Sequence, residues 1–395
     1  MIVSLKTFGV FWSFGFFLVA YSKEADEPFL KGNKTAIPEP QRPADKVSAK
    51  YEYVYTYEDS EETKDDKRTD KRTGKRTGKR TDKRTDRRAG KREPPPANEY
   101  SYPYRPKFPA HPSLGYCKLQ DFKFGESDRL GKGGFGQVYK AVHKSGKTVA
   151  IKHTLAQSIK DKPNHVENEE TIHRILQNAF IGQLLCTMKN SKNDIFFALE
   201  YFPGGDMYKQ LLTYHPYSQA VLAKYVAQIV LALRYMHSNC VVYRDLKAEN
   251  IMIDENDNIK LGDLGLAKYD CDNELYNLAG TVEYLAPEVA GKRKYGRACD
   301  YYSLAVLVYF LQSGKLPYRH KKDQKDVFIK QLATGKQKIP STGNAAADEL
   351  IGVLADYDPV QRWSNVYVNF DKFKKLSYFN GLDWNILEEI SANQL

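Results

Sequence analysis

The eight residues YRDLKAEN, at positions 243–250, bring three kinds of reactive group close together. Asp245 stands two residues before Lys247 and five before Asn250, in a run with few apolar side chains. A carboxylate accepts protons, an ammonium group neutralises a neighbouring anion, and a side-chain amide offers hydrogen bonds and an oxygen atom. The run could therefore do chemistry on an anionic substrate, provided that other parts of the chain supply the remaining groups.

A glycine-rich run lies upstream of these residues. From Leu130 the sequence reads LGKGGFGQVYKAV, in which Gly131, Gly133 and Gly136 form a GxGxxG pattern that dinucleotide-binding folds also use. Those folds continue directly into a helix, whereas QVYKAVHKSGKTVAIK predicts two strands joined by a turn. The pattern indicates a glycine-rich hairpin that can fold over phosphates, with Lys152 of VAIK on the next strand as a point charge.

The elements that must position these groups follow in order along the chain. DIFFALEYFPGGDMYKQL predicts an apolar strand, a short connection and the start of a helix. AVLAKYVAQIVLALRYMHS has apolar residues at helical spacing and ends just before YRDLKAEN. IMIDENDNIKLGDLGLAK predicts a short hairpin that carries Asp263, and AGTVEYLAPE follows it.

These motifs, in this order and at these intervals, resemble the catalytic domain of eukaryotic protein kinases over residues 122–388. YRD in place of HRD, EYFPGGDM, GTVEYLAPE and YFNGLDW resemble the AGC serine/threonine group, in particular the cyclic-nucleotide-dependent kinases. The resemblance implies an α+β, bilobal protein-kinase fold with a small β-rich N-lobe and a larger α-helical C-lobe. It also implies an ATP- and Mg²⁺-dependent phosphotransferase that acts on Ser/Thr hydroxyls of protein substrates.

The resemblance assigns a role to each reactive group. Asp245 would accept or orient the proton of the substrate hydroxyl, and Lys247 would stabilise the transferring phosphoryl group. Asn250 and Asp263 would hold two Mg²⁺ ions, which prefer oxygen ligands. The residues implied to bind the nucleotide are Leu130, Gly131, Lys132, Gly133, Gly134, Phe135, Gly136, Gln137, Val138, Ala150, Lys152, Glu169, Glu200, Phe202 and Met252. The structural residues of the family are matched by Glu288 paired with Arg362, and by Asp300 under the catalytic loop.

The partner of Lys152 departs from the family pattern. Alignment of HRILQ with the end of the family's αC helix places Ile172 where the glutamate partner belongs. Glu169 lies one helical turn earlier and can share that face of the helix. We therefore expect Glu169 to pair with Lys152, with Glu170 as the alternative.

The activation loop departs from the pattern as well. Asn277 occupies the position of the activating phosphothreonine, and asparagine cannot be phosphorylated. Tyr276 is adjacent, and the acidic residues of DCDNE (270–274) could supply fixed negative charge to Arg244 instead. Either the loop is constitutively ordered or the enzyme is weakly active.

Two acids indicate how a protein substrate would be selected. Asp206 and Glu249 fall on positions where the related kinases read arginines upstream of the phosphosite, while the third such acid is replaced by Phe310. We therefore expect a basophilic kinase that prefers arginine three residues before the target and reads the position two before it more weakly.

The first residues of the chain predict a targeting segment. Residues 1–22 contain an apolar run from Phe8 to Ala20 and end in a small-x-small triplet, which predicts a signal peptide cleaved after Ser22. An uncleaved anchor is the alternative. The localisation is therefore the secretory pathway if the segment is used and the cytoplasm if it is not.

The region before the kinase-like domain is polar and repetitive. Residues 64–92 form a Lys-Arg-Thr-Asp/Gly repeat that contains 15 Lys/Arg and 5 Asp/Glu. Because the net charge of the whole chain is +11, the rest of the chain is nearly neutral. The repeat has no interleaved aromatic residues and could bind anionic partners without recognising a nucleic-acid sequence. The predicted segments are a disordered polar stretch at 23–63, the disordered repeat at 64–92, a Pro-rich linker at 93–115 and a C-terminal end at 389–395.

The five cysteines are scattered and form no CxxC pair, so we expect free thiols and no disulfide framework or zinc site. Three classes of function remain. The first is an active serine/threonine kinase, working as a monomer on protein substrates. The second is a weakly active or catalytically silent nucleotide-binding scaffold, and the third is an interaction protein that works through the basic repeat.

Overall fold

A computed structural model of the protein describes residues 117–392, apart from residues 134–135 and 162. The segments predicted for residues 1–22, 23–63, 64–92 and 93–115 lie outside the described residues. Among the residues that the structure describes, no helix is long and apolar enough to cross a lipid bilayer.

An antiparallel sheet and two helices form the smaller lobe. Its elements are β1 (Phe122–Lys123), β2 (Arg129–Gly133), β3 (Gly136–His143), β4 (Thr148–Thr154), α1 (Ala156–Asp161), α2 (Pro163–Ile175), β5 (Leu184–Lys189) and β6 (Ile195–Glu200). The strand order is β1-β3-β4-β6-β5, and β2 pairs with β3. Val149, Ile151 and Phe196 are buried in the core of this lobe. Because side chains alternate along a strand, Ala150 and Lys152 point to the opposite face of β4.

Helices dominate the larger lobe. They are α3 (Met207–Tyr214), α4 (Gln219–Ser238), α5 (Pro287–Ala290), α6 (Ala298–Ser313), α7 (Lys325–Ala333), α8 (Ala345–Leu354), α9 (Pro359–Trp363), α10 (Phe370–Phe373) and α11 (Trp384–Ala392). The strands β7 (Val241–Val242) and β10 (Lys268–Tyr269) pair with each other, as do β8 (Ile251–Ile253) and β9 (Ile259–Leu261). Helix α6 is buried on all sides and forms the centre of the lobe. The predicted α+β bilobal fold is confirmed.

Packing extends past both predicted ends of the domain, at residues 122 and 388. Cys117 is linked to Cys186 of β5. Near the other end, the side chain of Asn178 donates to the backbone oxygen of Ser391 at 2.8 Å and to its hydroxyl at 2.9 Å. Helix α11 therefore belongs to the folded domain up to Ala392.

The expectation of free thiols is wrong for four of the five cysteines. Cys117 pairs with Cys186, and Cys240 pairs with Cys271, at Cα separations of 6.3 and 4.6 Å. These separations suit a disulfide. Only Cys299 is a free, buried thiol. The partners lie 69 and 31 residues apart in sequence, so short-range spacing could not reveal them.

Candidate active site

Three charged side chains meet where the two lobes face each other. Lys152 of β4 donates to Glu169 of α2 at 2.6 Å and to Asp263, after β9, at 2.9 Å. Lys152 and Glu169 are buried, whereas the Asp263 side chain is 39% exposed. Glu169 shares the inner face of α2 with the buried Ile172, while Glu170 points away and pairs with the arginine one turn further along. The orientation of α2 thus makes Glu169, and not Glu170, the partner of Lys152.

Burial and ion pairing act in opposite directions on these charges. Burial alone would lower the pKa of Lys152, but the carboxylates of Asp263 and Glu169 outweigh burial and raise that pKa. Burial alone would raise the pKa of Asp263, but the Lys152 charge and hydrogen bond outweigh it and lower that pKa. Lys152 and Asp263 therefore remain charged at neutral pH and face the cleft with fixed charges.

The catalytic loop surrounds Asp245 with donors. Its Oδ2 lies 2.8 Å from Lys247 Nζ and accepts from Asn250 Nδ2 at 2.8 Å. Its Oδ1 accepts from the backbone N–H of Thr281 at 3.1 Å and from the Thr281 hydroxyl at 2.7 Å. Lys247 also donates to Thr281 Oγ1 at 2.9 Å. Thr281 belongs to the GTVEYLAPE motif, whose pattern alone does not predict this contact with Asp245.

Two buried interactions support this loop. Asp300 of α6 accepts from the backbone amides of Tyr243 and Arg244 at 2.9 and 2.8 Å. These bonds help to hold Arg244 at φ 68°, a conformation that residues with a Cβ atom rarely adopt. Glu288 pairs with Arg362 at 2.7 Å and ties α5 to α9. The loop is therefore fixed from beneath by the larger lobe.

The glycine-rich run forms a tight hairpin between β2 and β3. The register pairs Gly131 with Val138, Lys132 with Gln137 and Gly133 with Gly136. Gly136 has φ 140°, and a Cβ atom there would lie 2.1 Å from the backbone oxygen of His153. Only glycine fits this position. The predicted residues Gly134 and Phe135 lie outside the described residues.

The other predicted nucleotide-binding residues are distributed over both lobes. Leu130 is exposed before the hairpin, and Ala150 lies on β4 beside its pairing strand β6. Glu200 ends β6, and Phe202 follows in the connection to α3. Met252 lies on β8 of the larger lobe. Together they flank the connection between the lobes.

Known proteins share this chain's sequence pattern. The model of the family described as "Protein kinase domain" matches residues 124–379. The chain belongs to the protein kinase family. It is 32% identical to the "cAMP-dependent protein kinase, catalytic subunit-like" of Caenorhabditis briggsae over 67% of this chain and 70% of that protein. It is 30% identical to "cAMP-dependent protein kinase type 3" of Saccharomyces cerevisiae over 72% and 70% of the two chains. The kinase is thus a member of the AGC serine/threonine group.

The activation segment of this kinase, residues 263–288, is ordered by an uncharged side chain. Asn277 Oδ1 accepts from Arg244 Nη1 at 3.1 Å, and Tyr295 donates its hydroxyl to the Asn277 backbone oxygen at 2.9 Å. Arg244 also donates to the backbone oxygen of Leu266 at 2.7 Å. The sequence offered the acids of residues 270–274 as partners of Arg244, but the amide of Asn277 takes that place. Glu274 pairs with Lys294 instead. The uncharged amide of Asn277 is therefore the side chain of this segment that Arg244 contacts.

A disulfide links the same segment to the catalytic loop. Cys240 directly precedes β7, and Cys271 follows β10 by one residue. Strands β7 and β10 pair antiparallel over only two residue pairs, and the Asp270 amide donates to the Cys240 oxygen at 2.7 Å. The covalent bond closes the end of this short ladder. It joins residue 271 of the activation segment to the residue that directly precedes β7.

The two predicted substrate-reading acids differ in how they are engaged. Asp206 caps α3 by accepting from the Lys209 amide at 2.9 Å, and it pairs with the Lys209 ammonium at 2.8 Å. Glu249 is half-buried, and no described residue donates to its Oε2 atom. Phe310, at the third acidic position of the relatives, is buried and stacks on Tyr208 with ring centroids 5.7 Å apart. Glu249 therefore keeps one buried carboxylate oxygen without a partner among the described residues.

Proposed function

We propose that this chain is an active kinase that transfers the γ-phosphate of ATP to serine or threonine hydroxyls of proteins. The observation that supports it most is the environment of Asp245, whose carboxylate accepts from the Thr281 hydroxyl and lies beside Lys247. A substrate hydroxyl would replace Thr281 as the donor and give its proton to Asp245. Lys247 would stabilise the charge on the phosphoryl group in transit.

Mg²⁺ fits the side chains that the resemblance assigns to it. Asp263 and Asn250 carry oxygen atoms of the kind that hard cations prefer, and the Asp263 side chain is partly open to solvent. When bound, the ions would neutralise phosphate charge. Lys152, held by Glu169, would contact the phosphates, and the hairpin of β2 and β3 would cover the nucleotide.

Phosphate transfer to a generic basic peptide tests the proposal. Asp245→Asn should lower the rate at least ~10³-fold and leave ATP affinity nearly unchanged, because it removes the proton acceptor alone. Asp371→Asn is the matched control, since the Asp371 side chain is 92% exposed. Equal, slow transfer by the wild type and Asp245→Asn would reject an active kinase in favour of a nucleotide-binding scaffold.

We further propose that the kinase selects basic residues upstream of the phosphosite. Asp206 and Glu249 supply two carboxylates on the positions that the resemblance assigns to substrate reading, and a carboxylate can bind an incoming cation through a charge-assisted hydrogen bond. Lys209 is 67% exposed and can be displaced from Asp206, since exposed ion pairs contribute little. A positional-scanning peptide library should show arginine preferred three residues before the target, with a weaker preference two before. A flat or acid-loving profile would contradict it.

We propose that the kinase folds in an oxidising compartment, with residues 1–22 as its signal peptide. Two disulfides in one domain support this, because disulfides are rare in the reducing cytosol. Titration of the denatured, unreduced protein should find one thiol, Cys299, of five cysteines. N-terminal sequencing of the secreted protein should begin at Lys23. A start at Met1 together with five free thiols would place the kinase in the cytosol.

The remaining partners are proposals as well. The kinase is proposed to act as a monomer on protein substrates. Residues 64–92 are proposed to bind anionic surfaces without sequence recognition. Affinity of the chain for an anionic polymer should then fall steeply with salt, and deletion of residues 64–92 should abolish that dependence. A salt-independent affinity would contradict the electrostatic origin.

A further inference from the structure

The basic repeat has a regularity that the proposed function does not use. Five successive units place a threonine directly after Lys-Arg, namely at Thr69, Thr73, Thr77, Thr81 and Thr85. The sixth unit, Arg87-Arg88-Ala89-Gly90, keeps both cations and carries alanine in place of threonine. Thr63, just before the repeat, follows two glutamates instead. The chain thus contains five matching hydroxyls and two natural controls.

The substrate cleft carries the complementary charge. Asp206 and Glu249, the two acids proposed to read the substrate, lie at the start of α3 and in the catalytic loop. The exposed Lys209 is the ion-pair partner of Asp206. An incoming lysine or arginine would take the place of Lys209 at Asp206.

We propose that the threonines of the repeat are substrates of this chain's own active site, an inference that rests on the proposed kinase function. The threonine Oγ1 forms a bond to the γ-phosphorus of ATP, and the bond from that phosphorus to the β,γ-bridging oxygen breaks. ADP leaves, and the hydroxyl proton passes to Asp245 and from there to solvent. No further reactant is needed.

The repeat matches the proposed substrate preference only in part, and its attachment to the kinase domain compensates for this. The repeat units lack the arginine three residues before the threonine that the cleft is proposed to prefer. However, the repeat belongs to the same chain, and Cys117 fixes the start of the domain to β5. About 36 residues separate Thr81 from Cys117, a length that spans at most about 125 Å. A domain of about 270 residues has a radius of gyration near 18 Å, so the repeat can reach the cleft at an effective concentration in the millimolar range.

The repeat units fall into two classes. Thr77 and Thr81 have glycine three residues upstream, whereas Thr69, Thr73 and Thr85 have aspartate there. An aspartate is repelled by the carboxylates of the cleft, and a glycine is not. Thr77 and Thr81 should therefore be modified first, with initial rates about fivefold higher.

The modification would change the character of the segment. Residues 64–92 have 15 Lys/Arg against 5 Asp/Glu. Each phosphate adds about −1.5 to −2 charges at pH 7, so five phosphates bring the segment close to neutrality. The kinase would thereby release any anionic surface that the repeat binds.

Site-resolved mass spectrometry of the full chain incubated with ATP tests the proposal. Cleavage after Glu62 and Glu99 releases residues 63–99 as one peptide, which contains all five threonines and Thr63. Phosphate should accumulate at Thr77 and Thr81 first, then at the other three, and never at Thr63. The rate per molecule should not change on dilution, because the substrate is attached. Asp245→Asn should abolish the signal.

Ala89→Thr provides a gain-of-function test outside the described residues. The variant should acquire a sixth phosphosite at position 89, in the slower class because Asp86 lies three residues upstream. An unmodified repeat in a protein that phosphorylates the generic basic peptide would overturn this inference and leave the proposed function intact. Modification of Thr63 as fast as Thr77 would also overturn it. A protein that modifies neither substrate would instead fail the proposed function.

Discussion

Replacing both Cys240 and Cys271 by serine should slow this kinase by more than its loss of stability explains. The disulfide closes a loop of 31 residues that contains the catalytic loop and the first part of the activation segment. The chain-entropy relation gives about 3.7 kcal/mol for such a loop. The bond between Cys117 and Cys186 closes 69 residues, for which the same relation gives about 4.4 kcal/mol. The second pair is therefore a matched control for stability.

The two double variants should have similar melting temperatures and different activities. For a domain of about 270 residues the entropy of unfolding is about 0.57 kcal/mol/K, so both should melt about 6–8 °C below the wild type. Only Cys240 and Cys271 flank the two-pair ladder of β7 and β10. Each kcal/mol lost there changes the ratio of ordered to disordered segment about fivefold, so kcat at 25 °C should fall at least that much.

Thermal unfolding and steady-state kinetics with one basic peptide separate the two effects. The Cys117/Cys186 variant should keep wild-type kcat well below its melting temperature. Equal kcat in both double variants would refute the claim that the bond orders the activation segment. Unchanged melting temperatures in both would refute the presence of the disulfides themselves.

Three further predictions concern single side chains. Glu169→Gln should reduce kcat/KM about as much as Lys152→Ala, whereas Glu170→Gln should keep the wild-type kcat/KM. In a double-mutant cycle, the effects of Glu169→Gln and Lys152→Ala on kcat/KM should be far from additive. Asn277→Ala should lower kcat, because it removes the oxygen that accepts a hydrogen bond from Arg244. Phosphatase treatment should leave the kcat of the wild type unchanged, because the partner of Arg244 is an amide and not a phosphate. Burial lowers the pKa of His237 from its ordinary 6.5, despite an opposing carboxylate. The unfolded chain then binds the proton first, so stability should decrease as pH falls below 6.5, and His237→Gln should flatten that slope in pH-dependent denaturation curves.

Most residues of the candidate site could be predicted from their spacing in the sequence. Asp245, Lys247 and Asn250 lie within one short loop, so their separation along the chain already limits their separation in space. Lys152 could be placed because strand alternation decides which face of β4 it occupies. The sequence showed that Asn277 is unusual at its position, but it did not decide which side chain contacts Arg244. In the structure Arg244 contacts the Asn277 amide and not an acidic neighbour.

Other features depended on the phase of a helix or on distant parts of the chain. Glu169 and Glu170 are adjacent in sequence, and only the packing of α2 against the sheet decides which one faces Lys152. Thr281 reaches Asp245 from 36 residues away. No local pattern encodes that contact.

The sequence by itself determined the order of the reactive groups and carried the resemblance to the family, because both rest on short motifs with fixed spacing, and the resemblance implied the two-lobed fold. The tertiary structure alone decided the two disulfides, since Cys240 and Cys271 become neighbours only when β10 pairs with β7. It also decided the state of the substrate-reading acids, with Asp206 occupied at the start of α3 and Glu249 left with an unpaired oxygen. Both outcomes depend on which surfaces meet after folding, and a linear pattern of residue types does not contain that information.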